Sequence, residues 1–205
     1  ASDVYKRQEV LTVEEIDRII SAVDMDKKEG QRNRAILETL YSCGLRVSEL
    51  CNLKLSDLYF EEGFIKVEGK GSKQRLVPIS PRAIKEIKYW LTDRSLGKIK
   101  KGYEDYVFLA RWGNNISRIM VFHMIKELAE KTGITKNISP HTFRHSFATH
   151  LLEGGANLRA IQCMLGHESI ATTEIYTHID RNMLRSEIIE HHPRNIKYRK
   201  ERGIY

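Results

Sequence analysis

The sequence predicts a mainly α-helical fold carrying one small three-stranded antiparallel β-sheet, and three observations predict it. Helix-start and helix-stop signals recur along almost the whole chain. Two-residue alternation is confined to one stretch, 58–79, broken by short glycine-bearing turns. With 205 residues, 41% apolar and 30% charged, the chain can bury one ample core.

The elements follow in order. Thr12-Val13-Glu14-Glu15 is a capping box, and Val13, Ile16, Ile19, Ile20 and Val23 keep helical spacing behind it. A polar break at 24–31 leads to a second helix through Ala35, Ile36, Leu40 and Tyr41, with Gly44 as its C-terminal cap. Arg46 then sits in the tight link to a short helix at 48–53. Strands are expected at 58–60, 64–68 and 75–79, separated by Glu61-Glu62-Gly63 and by Gly69-Lys70-Gly71-Ser72-Lys73-Gln74. Ser80-Pro81 supplies an N-cap and an N1 proline for a helix through Ile84, Ile87 and Leu91. A polar, Lys/Gly-rich connection precedes a helix at 117–131 with a Gly133 stop. Ser139-Pro140 opens the next helix, which runs through Phe147 and Leu151 to Gly154-Gly155. A shorter one at 158–165 ends at Gly166, and Ser169 can cap another leading towards Tyr176. An amphipathic piece at 183–189 precedes a basic tail, 194–202, whose charge marks it as solvated and disordered. The chain shows no internal repeat and no low-complexity linker.

Charge and cysteine usage narrow the partners. Thirty-four Lys and Arg against 27 Asp and Glu give a net charge of +7, which favours a polyanion. No apolar stretch approaches the ~20 residues of a membrane span, and no secretory signal opens the chain. Cys43, Cys51 and Cys163 form no C-x-x-C pair and read as reduced thiols, so a cytoplasmic chain is expected.

Chemistry-bearing groups concentrate in the final third. His141-Thr142-Phe143-Arg144-His145 is followed by Gly166-His167 and then by Tyr176. Arginine forks and imidazoles can grip a phosphate, and a phenol can attack it. Each residue also has a plainer role. His141 and His145 are an i, i+4 pair that could bind zinc, but the Glu of H-E-x-x-H is absent. His145, His150 and His178 read as structural, His167 as a helix C-terminal charge cap, Lys70 as a turn lysine and Tyr176 as a half-buried aromatic. The segment 147–165 has the outline of a helix-turn-helix.

Taken in order, several motifs form one set: Gly44-Leu45-Arg46-Val47-Ser48-Glu49-Leu50, the Gly69-Lys70-Gly71 hairpin, His141-x-x-Arg144, Leu165-Gly166-His167, and Tyr176 nine residues later. With these the chain resembles the catalytic domain of the tyrosine site-specific recombinases, the phage integrase family, and most nearly the bacterial Xer recombinases. The likeness runs from about residue 11 to residue 192. It implies the recombinase catalytic-domain fold and six catalytic residues. Arg46, His141, Arg144 and His167 would hold the phosphate, Lys70 would be the general acid, and Tyr176 the nucleophile. Lys73, Arg75, Arg118 and Arg159 are candidates for contact with the DNA backbone.

The resemblance further implies strand cleavage and rejoining in duplex DNA through a 3′-phosphotyrosyl link, with no metal and no cofactor. Chromosome-dimer resolution and mobile-element integration are both open. Its implied partners are duplex DNA, a tetramer with itself or a related recombinase, and a DNA-translocating motor protein. Family members also carry an N-terminal helical domain that clamps the DNA, so residues 1–205 are expected to be the C-terminal catalytic domain, with a core at about 11–192 and a tail at 193–205. In the family a helix such as 183–189 docks on a neighbouring protomer; the alternative is packing on its own core. Three rivals stand beside this reading: a non-catalytic helix-turn-helix-like regulator, a metal-dependent nuclease, and a topoisomerase-like relaxer.

Overall fold

The computed structural model describes residues 9–166 and 181–203, so the expected helix opened by Ser169, and with it His167, Tyr176 and His178, lies outside the described residues. The expected class is the one found, helices around a single small sheet.

The first capping box forms as written. Glu15 N donates to Thr12 Oγ1 at 3.1 Å and Thr12 N to Glu15 Oε1 at 2.9 Å, opening α1 (Val13–Ser21). Helix α2 (Gly30–Cys43) runs through the centre of the molecule, buried continuously from Ala35 to Cys43. Gly44 ends it in the left-handed conformation, φ 65°, and an added Cβ would stand 2.3 Å from the Phe147 ring. Only glycine fits there, on both conformational and steric grounds. The chain therefore turns at once into α3 (Val47–Cys51), with Arg46 as its N-cap.

Strands β1 (Leu58–Tyr59), β2 (Phe64–Glu68) and β3 (Gln74–Pro78) pair antiparallel in that order. The β2–β3 register sets Ile65 opposite Val77 and Val67 opposite Arg75. Helix α4 (Pro81–Leu96) starts on Ser80, whose hydroxyl accepts Ala83 N–H, and α5 (Arg118–Thr132) starts on Ser117 in the same way. Between them the connection expected to be merely polar contributes Val107, Phe108 and Leu109 to the core, with Trp90 Nε1 donating to Val107 O at 2.8 Å. Helices α6 (Pro140–Glu153) and α7 (Leu158–Leu165) complete the part of the fold before the site's last motif, and Gly166 caps α7 at φ 68°.

At the C-terminus packing on the chain's own core is the alternative found, and the tail departs from expectation. Helix α8 (Arg181–His191) packs on its own core through Leu184 and Ile188. Residues expected to be a disordered tail form α9 (Pro193–Glu201). The reason is that its first cation is not solvated. Arg194 is 2% exposed and pairs with Asp17 of α1 and with Glu38 of α2, the latter at 3.0 Å.

The seat of α9 carries a pH dependence. His192 is fully buried; its Nε2–H donates to Tyr41 O at 3.1 Å, and Nδ1 accepts Arg194 N–H at 3.1 Å as the N-cap. The bond from Arg194 N–H needs the unprotonated Nδ1 of the neutral ring, and burial pushes the pKa down to about 4. Unfolding restores an ordinary value near 6.5. The unfolded chain thus binds a proton that the folded one refuses. Stability should fall by about 3 kcal/mol as the pH drops from ~6.5 towards ~4. Urea unfolding across that window should show the loss, and His192→Asn, which keeps a cap but cannot titrate, should flatten it.

Candidate active site

Arg46 and Arg144 are 98 residues apart and converge on one carboxylate. Glu49, on the first turn of α3 and 5% exposed, lies 3.5 Å from Arg46 Nη1 and 3.8 Å from Arg144 Nη1. Glu49 Oε1 also accepts Arg46 N–H at 2.8 Å. The short helix is therefore capped by the residue that gathers the arginines. Burial acts to raise the Glu49 pKa, but hydrogen bonding and charge from Arg75, with Arg46 N–H and Arg144, hold it below the usual carboxylate value.

Arg144 is held as a rigid fork. Nη1 donates to Gly44 O at 2.7 Å and Nη2 to Leu165 O at 2.6 Å, which ties α6 to the ends of α2 and α7. A guanidinium has five N–H groups; among the described residues these two bonds and the 3.8 Å ion pair with Glu49 engage only the two terminal nitrogens. Burial, then the neighbouring Arg46 charge, pushes the Arg144 pKa down to about 10, so it stays cationic at neutral pH. Arg46 is more open, with 40% of its side chain exposed. One fork is thus fixed and buried, and the other is the more open of the two.

A cleft of about 760 Å³ opens in front of α3, lined by Arg46, Glu49, Lys54, Lys66, Gly69 and Lys70 among others. Lys70 is exposed at the tip of the β2–β3 hairpin, where Gly71 and Ser72 both adopt positive φ, 71° and 60°. An added Cβ on Gly71 would meet nothing within 4 Å, so the tip is unobstructed. The hairpin is closed behind it by Gly69 N–H on Lys73 O at 2.8 Å.

His141 is exposed on the first turn of α6, three residues before Arg144 and so on a neighbouring part of that face. The structure thus brings Arg46, Lys70 and Arg144 to one region and sets His141 on the same helix as Arg144. His150 is structural, as expected: its Nδ1 accepts the Tyr41 hydroxyl and its Nε2–H reaches Leu11 O, both at 2.7 Å.

Among the candidates for backbone contact, Arg118 at the start of α5, Lys73 on the hairpin and Arg159 on α7 are all exposed, and none lines the cleft. Arg75 is a correction. It is 7% exposed, with Nη1 and Nη2 on Glu49 at 2.5 and 3.0 Å and Nε on Met164 O at 2.8 Å. A fork so fully engaged is not available to a phosphate. Glu49 was present in the sequence without a role, and its place three residues after Arg46 was the available signal. Among the described residues no helix is long and apolar enough to cross a membrane.

Known proteins resemble the chain along most of its length. A family model described as "Phage integrase family" matches residues 9–183. The tyrosine recombinase XerD of Staphylococcus saprophyticus is 43% identical over 189 residues, covering 92% of this chain and 64% of the relative. That of Chlorobaculum tepidum is 46% identical over 188 residues, covering 90% and 62%. The chain therefore spans less than two thirds of the length of these curated relatives. Among solved structures, that of XerA recombinase superposes with a TM-score of 0.71 at 35% identity, over 90% of this chain and 65% of the other. That of XerH recombinase bound to its difH substrate before cleavage gives 0.69 at 30% identity, over 83% and 50%.

Proposed function

The chain belongs to the phage integrase family, and from that premise we propose that it is the catalytic portion of an Xer-like tyrosine recombinase acting on duplex DNA. The observation that carries this reading is the meeting of Arg46 and Arg144 on Glu49, at a cleft whose rim holds Lys70.

In the proposed reaction the Tyr176 oxygen bonds to phosphorus as the bond from phosphorus to the 5′ oxygen breaks. A free phenol has a pKa near ~10 and attacks poorly until cations favour its anion. Arg46 and Arg144 supply two such charges, and they act most strongly on the five-coordinate transition state, where negative charge accumulates. His141 and His167 add donors to the phosphate oxygens. The phenol proton passes to solvent, and the departing 5′ oxygen takes one from the Lys70 ammonium. The products are a 3′-phosphotyrosyl link and a free 5′ hydroxyl. Because the bond energy is kept in that link, the 5′ hydroxyl of another strand reverses the step, and no step calls on a metal or a nucleotide cofactor.

One tyrosine per protomer means that exchange between two duplexes uses four. The working assembly we propose is accordingly a tetramer on DNA, of this chain or with a related recombinase, gated by a DNA-translocating motor protein and located in the cytoplasm. Chromosome-dimer resolution fits the XerD relatives, and mobile-element integration uses the same chemistry. Arg118, Lys73 and Arg159 are the proposed backbone contacts that remain exposed.

The test uses a duplex selected from a random-sequence pool by retention on the protein, then nicked beside the scissile phosphate so that the cleaved fragment diffuses away. Denaturing electrophoresis should show a protein–DNA conjugate that persists in EDTA and vanishes in Tyr176→Phe. DNA retention without any conjugate would instead favour a non-catalytic binding protein, and a conjugate-free cleavage lost in EDTA would favour a nuclease.

A further inference from the structure

We propose that Arg75 is a positioning residue for Lys70: its ion pair with Glu49 is the seat on which the base of the lysine hairpin rests. The inference deepens the recombinase reading and rests on it.

Three elements meet at Arg75. Its position on β3, opposite Val67 and two residues before buried Val77, directs it inward. There both terminal nitrogens are taken by Glu49, the residue that also gathers Arg46 and Arg144. Its Nε is taken by Met164 O near the end of α7, one residue before the carbonyl that holds Arg144. The Arg75 fork therefore refers β3, and the hairpin it begins from, to the same frame as the two phosphate-binding arginines.

The hairpin touches that frame at Gly69. A Cβ built there would stand 3.2 Å from Arg75 Nη1 and 3.3 Å from Glu49 Oε2. The backbone of the residue immediately before Lys70 is thus packed directly on the ion pair, with no room for a side chain to intervene. Past Gly69, residues 70–74 are exposed, and among the described residues a Cβ added to Gly71 would meet nothing within 4 Å. Among the described residues the Lys70 side chain makes no hydrogen bond or ion pair of its own. What places its ammonium relative to Arg46 and Arg144 is the hairpin base, and what places the hairpin base is Arg75 on Glu49.

This assignment separates a positioning role from a purely structural one by leaving-group chemistry. On ordinary DNA the 5′ oxygen needs the Lys70 proton as it departs. If that oxygen is replaced by sulfur, the P–S bond breaks with its electron pair going to sulfur as a thiolate. A thiol has a pKa near ~8.5, so the thiolate leaves without a proton donor. A defect confined to the placement of Lys70 should therefore disappear on the sulfur substrate.

The experiment compares conjugate formation by the whole chain on nicked duplexes with oxygen or sulfur at the mapped cleavage point. Arg75→Gln should lose about 100-fold on oxygen, within the range of general-acid catalysis, and stay within about 5-fold of the parent on sulfur. Lys70→Ala should behave alike, whereas Arg46→Ala should lose equally on both. Gly69→Ala provides a second variant that keeps every charge: it should lose about tenfold on oxygen through displacement of the hairpin base and nothing on sulfur. Should Arg75→Gln be too unstable to assay, Gly69→Ala decides alone. Equal losses on the two substrates, or no loss on oxygen, would overturn the positioning role while leaving the recombinase reading intact. A parent chain that forms no conjugate on either substrate would overturn that reading as well.

Discussion

Replacing Arg144 with alanine is expected to abolish conjugate formation and to destabilise the fold together. One preorganised donor to a developing oxyanion accounts for about 10²–10³ in rate, and Arg144 supplies a charge besides. Its two bonds to Gly44 O and Leu165 O join the ends of α2 and α7, and both carbonyl groups belong to buried residues. Leaving a buried acceptor unpaired costs about 1–3 kcal/mol, so a loss of ~2–6 kcal/mol in urea unfolding is expected for the pair. Arg46→Ala should divide these effects. Arg46 is far more exposed and its ion pair correspondingly screened, so its removal should cost no more than ~1 kcal/mol of stability. Its loss of conjugate should nevertheless match that of Arg144→Ala. Near-normal cleavage by Arg46→Ala would remove it from the reacting phosphate, and an unaltered urea midpoint in Arg144→Ala would contradict its bracing of α2 and α7.

Glu49→Gln is expected to be the most damaging isosteric change in the chain. The amide retains the shape of the carboxylate but leaves Arg46, Arg75 and Arg144 without the charge on which all three converge. Breaking a buried pair from one side costs about 3–5 kcal/mol. The cost should depend on pH in a fixed direction. The folded-state pKa of Glu49 is depressed below its ordinary 4.5, so the stability it contributes is fully present above that value. It is lost as the pH falls through the lower, folded-state value. Urea unfolding should therefore show parent and variant far apart at pH 7 and converging as the pH falls below the ordinary carboxylate value. No gap at pH 7 would mean that Glu49 acts through shape alone, and a gap unchanged at every pH would mean that its ionisation plays no part.

Much of this molecule was legible in its sequence because the signals were local. Thr12 with Glu15, Ser80 before Pro81, and Ser117 mark helix starts that the backbone uses; Gly44, Gly133 and Gly166 mark helix stops. The three strands were visible from their period and turn glycines, because a two-residue repeat is broken only where the chain reverses. The two arginine motifs were legible as chemistry, and the carboxylate between them was not. Glu49 has the appearance of an ordinary acidic residue in a first helical turn. Only the fold reveals that it faces three cations.

Long-range pairing hid the rest. Arg75 shares its strand face with Val77, and alternation alone would have turned it inward, but an arginine in a basic hairpin reads first as a surface cation. The same prejudice led to a disordered tail. Arg194 has its partners in Asp17 and Glu38, more than 150 residues earlier, and His192 takes an N-cap position usually filled by Ser, Thr, Asp or Asn. Arg75 and Arg194 are each buried by a partner that no local window contains.

The central claim is that Arg46, Lys70, His141 and Arg144 serve one phosphate attacked by Tyr176, and mass spectrometry of the trapped conjugate addresses it most directly. After nuclease and protease digestion, we expect one modified peptide carrying a nucleotide through its 3′ phosphate on Tyr176, with the released strand ending in a 5′ hydroxyl. A nucleotide on any other residue, or one joined through its 5′ phosphate, would contradict it.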